Sequence, residues 1–94
     1  MASMFIKHRV ADFDAWKKVF DEHETTRRQE SMTAHSLHRD TDDPNLVTIA
    51  FRVSDLARAR AFAESDNLRE IMQRAGVEGP PDIWYTEDIE DKTY

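Results

Sequence analysis

Met4-Phe5-Ile6-Lys7-His8-Arg9-Val10 runs directly into Ala11-Asp12-Phe13-Asp14-Ala15-Trp16, and at that join the periodicity of the chain changes. In the first half Met4, Ile6, His8 and Val10 share one face and Phe5, Lys7 and Arg9 the other, a period of two that predicts a strand. Asp12 then suits a helix N-cap, because its carboxylate can accept from the free amides of the first turn. Beyond it Phe13, Trp16, Phe20, His23 and Arg27 recur every three or four residues, which predicts one helix running to about Glu30 with these side chains on one stripe. Arg27 and Arg28 fall in its last turns, where a cation meets the negative end of the helix dipole.

Working outward, Ser31 to Arg39 reads as a second strand, with Thr33, His35 and Leu37 opposite Ala34, Ser36 and His38. Asp40-Thr41-Asp42-Asp43-Pro44-Asn45 is dense in turn formers and predicts a hairpin to a third strand, Leu46 to Val53. That strand places Val47, Ile49, Phe51 and Val53 on one face. Ser54-Asp55 caps a second helix whose stripe is Leu56, Ala59, Phe62 and Ala63. A break near Ser65-Asp66-Asn67 starts a further helical stretch with Leu68, Ile71, Met72 and Ala75 together, and Gly76 ends it. Gly79-Pro80-Pro81 reads as a stiff connector, followed by a fourth strand from Asp82 to Glu87.

The order β, α, β, β, α, β predicts an α+β domain of the ferredoxin-like type, a four-stranded antiparallel sheet with the helices on one face. A single domain over residues 1–94 is expected, with a core from 4 to 88 and an acidic, solvated tail from 89 to 94. The face turned away from the helices carries Phe5, Thr48, Ala50 and Trp84 among Lys7, Arg9 and Arg52, a composition on which a second sheet can pack. A 94-residue domain buries only about two-thirds of the surface of its unfolded chain, so pairing would help it.

Composition removes several functions. With 34% charged and 39% hydrophobic residues the chain is that of a folded, water-soluble protein, and no apolar run approaches the ~20 residues of a membrane span. The start lacks a basic region followed by an apolar block, so no signal peptide is expected and a cytoplasmic location is the default. A net charge of −6 with scattered Lys and Arg argues against nucleic acid, whose phosphates demand a positive face. There is no cysteine, which removes disulfides, thiolate metal sites and cysteine nucleophiles. Gly76 and Gly79 are the only glycines, and no phosphate-cradling loop can be built from them.

Val10-Ala11-Asp12-Phe13-Asp14-Ala15-Trp16 with Val19-Phe20-Asp21-Glu22-His23 resembles the opening of small proteins in the antibiotic-biosynthesis-monooxygenase-like, dimeric α+β barrel superfamily. His38-Arg39-Asp40, Asp42-Asp43-Pro44-Asn45, Ser54-Asp55-Leu56-Ala57-Arg58-Ala59-Arg60-Ala61-Phe62 and Gly79-Pro80-Pro81 continue the likeness, which covers roughly Met4 to Asp88. The resemblance implies a homodimer whose two sheets close a barrel, with a cavity between sheet and helices in each subunit. It implies cofactor-free oxygenation or cyclisation of an aromatic, polyketide-like small molecule. Haem-degrading members share an Asn, Trp and His constellation. Here Asn45 and Asn67 fall in predicted turns, so that activity is not carried over.

Among residues able to carry chemistry, His23 stands on the apolar stripe one turn beyond Phe20 and is expected to face the sheet. A neutral imidazole there can take a proton from a phenol or an enolisable carbonyl, so His23 is the expected general base. The alternative is a histidine satisfied by a backbone carbonyl at the edge of the core. His8 and His35, on the Ile6 and Leu37 faces of their strands, are the further catalytic candidates, while His38 points to the other face. Trp16, Phe20 and Phe51 supply aromatic lining, Arg27 a cation for a ligand carboxylate or phenolate, and Tyr85 a hydroxyl donor. Each has a plainer role as core, helix end or rim. Three converging histidines would bind a metal, but no HxH or HxxxH spacing occurs, and no metal or other cofactor is expected. The leading expectation is thus a small cofactor-independent enzyme. A non-catalytic ligand-binding or structural dimer is the alternative, and a histidine-ligated lyase or isomerase comes third.

Overall fold

The computed structural model describes residues 1–94, in the order β1 (Ala2–Val10), α1 (Phe13–Glu22), α2 (Glu24–Gln29), β2 (Met32–Arg39), β3 (Leu46–Val53), α3 (Leu56–Ala63), α4 (Asp66–Arg74) and β4 (Val77–Glu87). The strands form one sheet in the order β2-β3-β1-β4, with every neighbouring pair antiparallel. This is the ferredoxin-like α+β arrangement expected from the alternation of elements. The core lies between sheet and helices: Met4, Ile6 and Val10 of β1 and Val47, Ile49, Phe51 and Val53 of β3 meet Trp16, Phe20, Ala59 and Phe62 from the helices. β1 therefore buries its even-numbered face and β3 its odd-numbered one, because in each strand that face is the apolar one. No helix is long and apolar enough to cross a membrane.

Capping follows the side chains at the helix starts. Asp12 accepts from the Asp14 amide at 3.0 Å, Asp55 from Arg58 at 3.1 Å and Ser65 from Leu68 at 3.2 Å. Gly76 ends the α4 segment with φ +85°, and its carbonyl accepts from the Ala11 amide at 2.9 Å, tying the α4–β4 corner to the end of β1.

Two sequence expectations change. The single helix to Glu30 is two helices, because His23 breaks it with φ −103° and ψ 17°. Its Nδ1 lies 2.8 Å from the Val19 carbonyl, the acceptor that its own amide would use in an unbroken helix, and Arg27 Nη1 donates to the Phe20 carbonyl at 2.6 Å. The His23 side chain thus satisfies the Val19 carbonyl, while the Phe20 carbonyl accepts from Arg27 as well as from the His23 amide at 3.3 Å. Second, Gly79-Pro80-Pro81 is no separate connector but part of β4. Lys7 pairs with Asp82 and Arg9 with Glu78, so these three residues bulge out opposite His8 alone. β4 is an edge strand, where proline costs no ladder bond on the solvent side. The end of β4 is tied to the start of β1, where the Asp88 amide donates to the Met1 carbonyl and Ser3 Oγ donates to Asp88 Oδ1 at 2.5 Å; beyond it the side chains are exposed, with Asp91 paired to Arg52 at 2.8 Å.

The sheet face away from the helices is uncovered in the single chain. Phe5 and Trp84, paired across β1 and β4, stack there with ring centres 5.4 Å apart and planes 8° from parallel, and Trp84 remains 41% exposed.

Candidate functional site

A cavity of about 60 Å³ opens between sheet and helices, and its lining is almost entirely apolar. Ile6, His8, Ile49 and Phe51 form its floor; Trp16, Phe20 and Phe62 wall it; Leu68, Ile71 and Met72 of α4 roof it. The floor follows from the strand period and the walls from the helix period, so the site is the place where the two apolar faces fail to close completely.

His8 is the polar group on its floor. The imidazole is 6% exposed and meets the Trp16 indole edge-on at 5.5 Å, and neither of its nitrogens has a hydrogen-bond partner. A neutral imidazole has one donor and one acceptor, and leaving both unpaired in an apolar surround costs free energy that folding must offset elsewhere. Burial lowers its pKa to about 4, so it is neutral at physiological pH.

His23 also lines the cavity, from the break between α1 and α2. With Nδ1 against the Val19 carbonyl, that nitrogen carries the proton and Nε2 is left as the acceptor, 3.4 Å from Arg74 Nη2. It is half-buried, and its partners are those of a histidine held by a backbone carbonyl at the edge of the core.

Arg27 is 8% exposed rather than a surface residue. Its guanidinium lies 3.8 Å above the centre of the Phe20 ring and forms no ion pair. Glu24 is occupied by Arg28 at 3.0 Å and Asp21 by Lys17 at 2.7 Å. Desolvation pulls its pKa below the usual arginine value. No surface ion pair is made by this residue.

His35 does not reach the cavity. It stands on the outer side of Phe20, edge-on at 5.0 Å, and lines a second cleft of about 110 Å³ with Arg27, Met32 and Phe51. Its pKa is lowered, first by desolvation and then by the Arg27 charge. Tyr85 is elsewhere too: it packs against the core from β4 under the Arg60 guanidinium, 4.2 Å from the ring centre, and burial raises its phenol pKa. His38 lies on the open face, 2.9 Å from Ser36 Oγ. No group of three or more His, Asp or Glu side chains is placed to hold a metal ion, so the histidines do not converge as a metal-dependent lyase would require.

The structure thus gathers His8, Trp16, Phe20, His23, Arg27 and Phe51 around one space and leaves His35 and Tyr85 outside it. The α4 roof was legible as a stripe but not as a lining. Arg74, on that helix, gave no signal, because its contact with His23 joins residues 51 apart in the chain.

No family model matches the sequence, and comparison with curated proteins finds no match. Among solved structures, the chain is similar to SnoaB, a cofactor-independent oxygenase from Streptomyces nogalater, at 12% identity and a TM-score of 0.75, over 96% of this chain and 94% of that one. It is similar to an antibiotic biosynthesis monooxygenase at 15% identity and a TM-score of 0.70, over 96% and 100%. It also resembles a conserved protein from Methanosarcina mazei Go1 at 15% identity and a TM-score of 0.71, over 95% and 94%. Through nearly its whole length, this chain has the fold of the antibiotic-biosynthesis-monooxygenase-like proteins.

Proposed function

We propose that the protein is a cofactor-independent oxygenase that acts, as a homodimer, on a hydroxylated aromatic molecule held in the cavity under α4. The observation that carries this reading is His8: a neutral imidazole with two unpaired nitrogens, in an aromatic-walled space, is made for a ligand with a hydroxyl or carbonyl. His8 accepts the proton of the ring hydroxyl, and the imidazolium so formed is stabilised by the phenolate beside it. The electron-rich ring then reacts with dioxygen. A phenol becomes a quinone as a ring C–H gives way to C=O, one oxygen atom entering the product and the other leaving as water. Trp16 and Phe20, stacked at 4.9 Å, flank the ring.

His23 has the weaker claim to the proton-accepting role, since both its nitrogens already have partners. It orients the end of α1 and contacts α4 at the roof. Likeness to a cofactor-independent oxygenase supports the reaction type, and the exposed Trp84, stacked on the half-buried Phe5, supports a second sheet on the open face.

The test is oxygen consumption and quinone formation with a panel of phenols in air, for the wild type, H8F and H23A. Loss in H8F with retention in H23A is expected; unchanged turnover in H8F would exclude His8 as the base. One observation favours a second reading, a binding or structural dimer without turnover: at about 60 Å³ the cavity is smaller than the ~150 Å³ in which a benzene ring fits. Absence of any melting-temperature shift across a varied aromatic panel would support that alternative.

A further inference from the structure

Arg27 is the buried cation that the proton chemistry leaves unused. It offers five N–H donors and one is taken, by the Phe20 carbonyl at 2.6 Å. The carboxylates near it are held by other cations, Glu24 by Arg28 and Asp21 by Lys17. A buried charge without a counter-ion is costly, and proteins that keep one commonly do so for a ligand of the opposite sign.

Its position adds a second argument. Arg27, Met32 and Phe51 form the wall common to the apolar cavity of about 60 Å³ and the cleft of about 110 Å³ beside His35. Taken together these spaces exceed the ~150 Å³ that holds one aromatic ring, and they fall well short of the ~300 Å³ at the lower end of ordinary ligand pockets. The side chains run in the order His8, Trp16, Phe20, Arg27, each in contact with the next: 5.5 Å and 4.9 Å between ring centres, then 3.8 Å from guanidinium to ring. A hydrogen-bonding group stands at one end, aromatic faces in the middle and a positive fork at the other.

We infer that the site takes a single-ring aromatic acid, with its carboxylate on Arg27 and its hydroxyl on His8, rather than a polycyclic ligand. This rests on the reading of the cavity as a ligand site. A planar guanidinium matches a carboxylate through two parallel N–H bonds, and the ring of the ligand takes the place beside Phe20 and Trp16. Entry of the ring requires the Arg27 head, which lines both spaces, to turn toward the cleft.

The experiment is isothermal titration of the full chain with 3-hydroxybenzoate, its neutral analogue 3-hydroxybenzamide, and phenol, for the wild type and R27Q. In the wild type the acid binds about tenfold tighter than the amide or phenol, the size of one charge-assisted contact. In R27Q the three ligands bind alike. The comparison of acid with amide needs no variant, so it stands even where R27Q fails to fold. Equal affinity of acid and amide, or an acid preference that survives in R27Q, overturns the inference while leaving a phenol-binding cavity intact. Failure of all three to bind overturns both the inference and the ligand-site reading.

Discussion

The His8 imidazole sits edge-on to the Trp16 indole, 5.5 Å between ring centres at 73°, with both of its nitrogens unpaired. A strand residue and a helix residue thus meet at the one point in the core where a polar group has been left without a partner.

That arrangement makes stability depend on pH. The His8 pKa is about 4 in the fold against about 6.5 unfolded, so between those values the unfolded chain binds the extra proton. The sign is therefore fixed: above pH 6.5 both states are neutral and His8 contributes no pH dependence, and stability falls as pH drops through the window toward 4. The loss from this residue approaches about 3 kcal/mol. Urea unfolding of the wild type at pH 7 and pH 4.5, compared with H8F, should show a smaller acid loss in the variant. An equal loss in both would mean that His8 is not the group responsible.

The same substitution should stabilise the fold at neutral pH. Phenylalanine removes two unpaired polar atoms from an apolar surround, and the gain expected is about 1 kcal/mol, read as a higher urea midpoint with unchanged slope. Stabilisation together with loss of turnover would mark His8 as kept for chemistry. A variant less stable than wild type would show that the imidazole has a partner in solution.

Trp84 offers a test of pairing. Stacked on Phe5 and 41% exposed on the open face of the sheet, it is placed for burial against a second sheet. Sedimentation of the wild type should give a dimer, and W84E a monomer that keeps its circular dichroism spectrum. A dimer unaffected by W84E would move the interface off this face.

The roof of the cavity should be the least protected helix. α4 has no fully buried side chain in its span and covers the cavity with the half-buried Leu68, Ile71 and Met72. Hydrogen exchange should be faster for its amides than for those of β3, whose Val47, Ile49 and Val53 are fully buried. R74A, which removes the contact with His23, should speed it further. Equal protection of α4 and β3 would rule out opening at this helix as the way in.

Gly76 should resist substitution for a backbone reason alone. A Cβ there would meet Ala11 Cβ at 3.7 Å, an ordinary contact, but φ is +85°. G76A should therefore cost about 1–2 kcal/mol in urea unfolding without altering ligand affinity.

The sequence by itself determined the strands, the caps and the stripes, because these depend on neighbours within a turn or a pleat. Met4 to Val10 alternates and therefore buries His8 with Ile6; Asp12, Asp55 and Ser65 cap because their side chains reach amides two or three residues on. Leu46 to Val53 could be read to the residue. The tertiary structure decided what no local pattern encodes. Whether His8 finds a partner depends on which helix residues lie above it, and the structure puts an indole there. Whether Arg27 forms an ion pair depends on where Glu24 and Asp21 turn, and each turns to another cation. The break at His23 has no glycine or proline to announce it; it arises because an imidazole took a carbonyl from the helix ladder. The bulge of Gly79-Pro80-Pro81 opposite His8 comes from the register of β1 with β4, fixed only when the sheet closes. Periodicity is a property of neighbours in the chain, whereas an unpaired donor or an uncompensated charge is a property of neighbours in space.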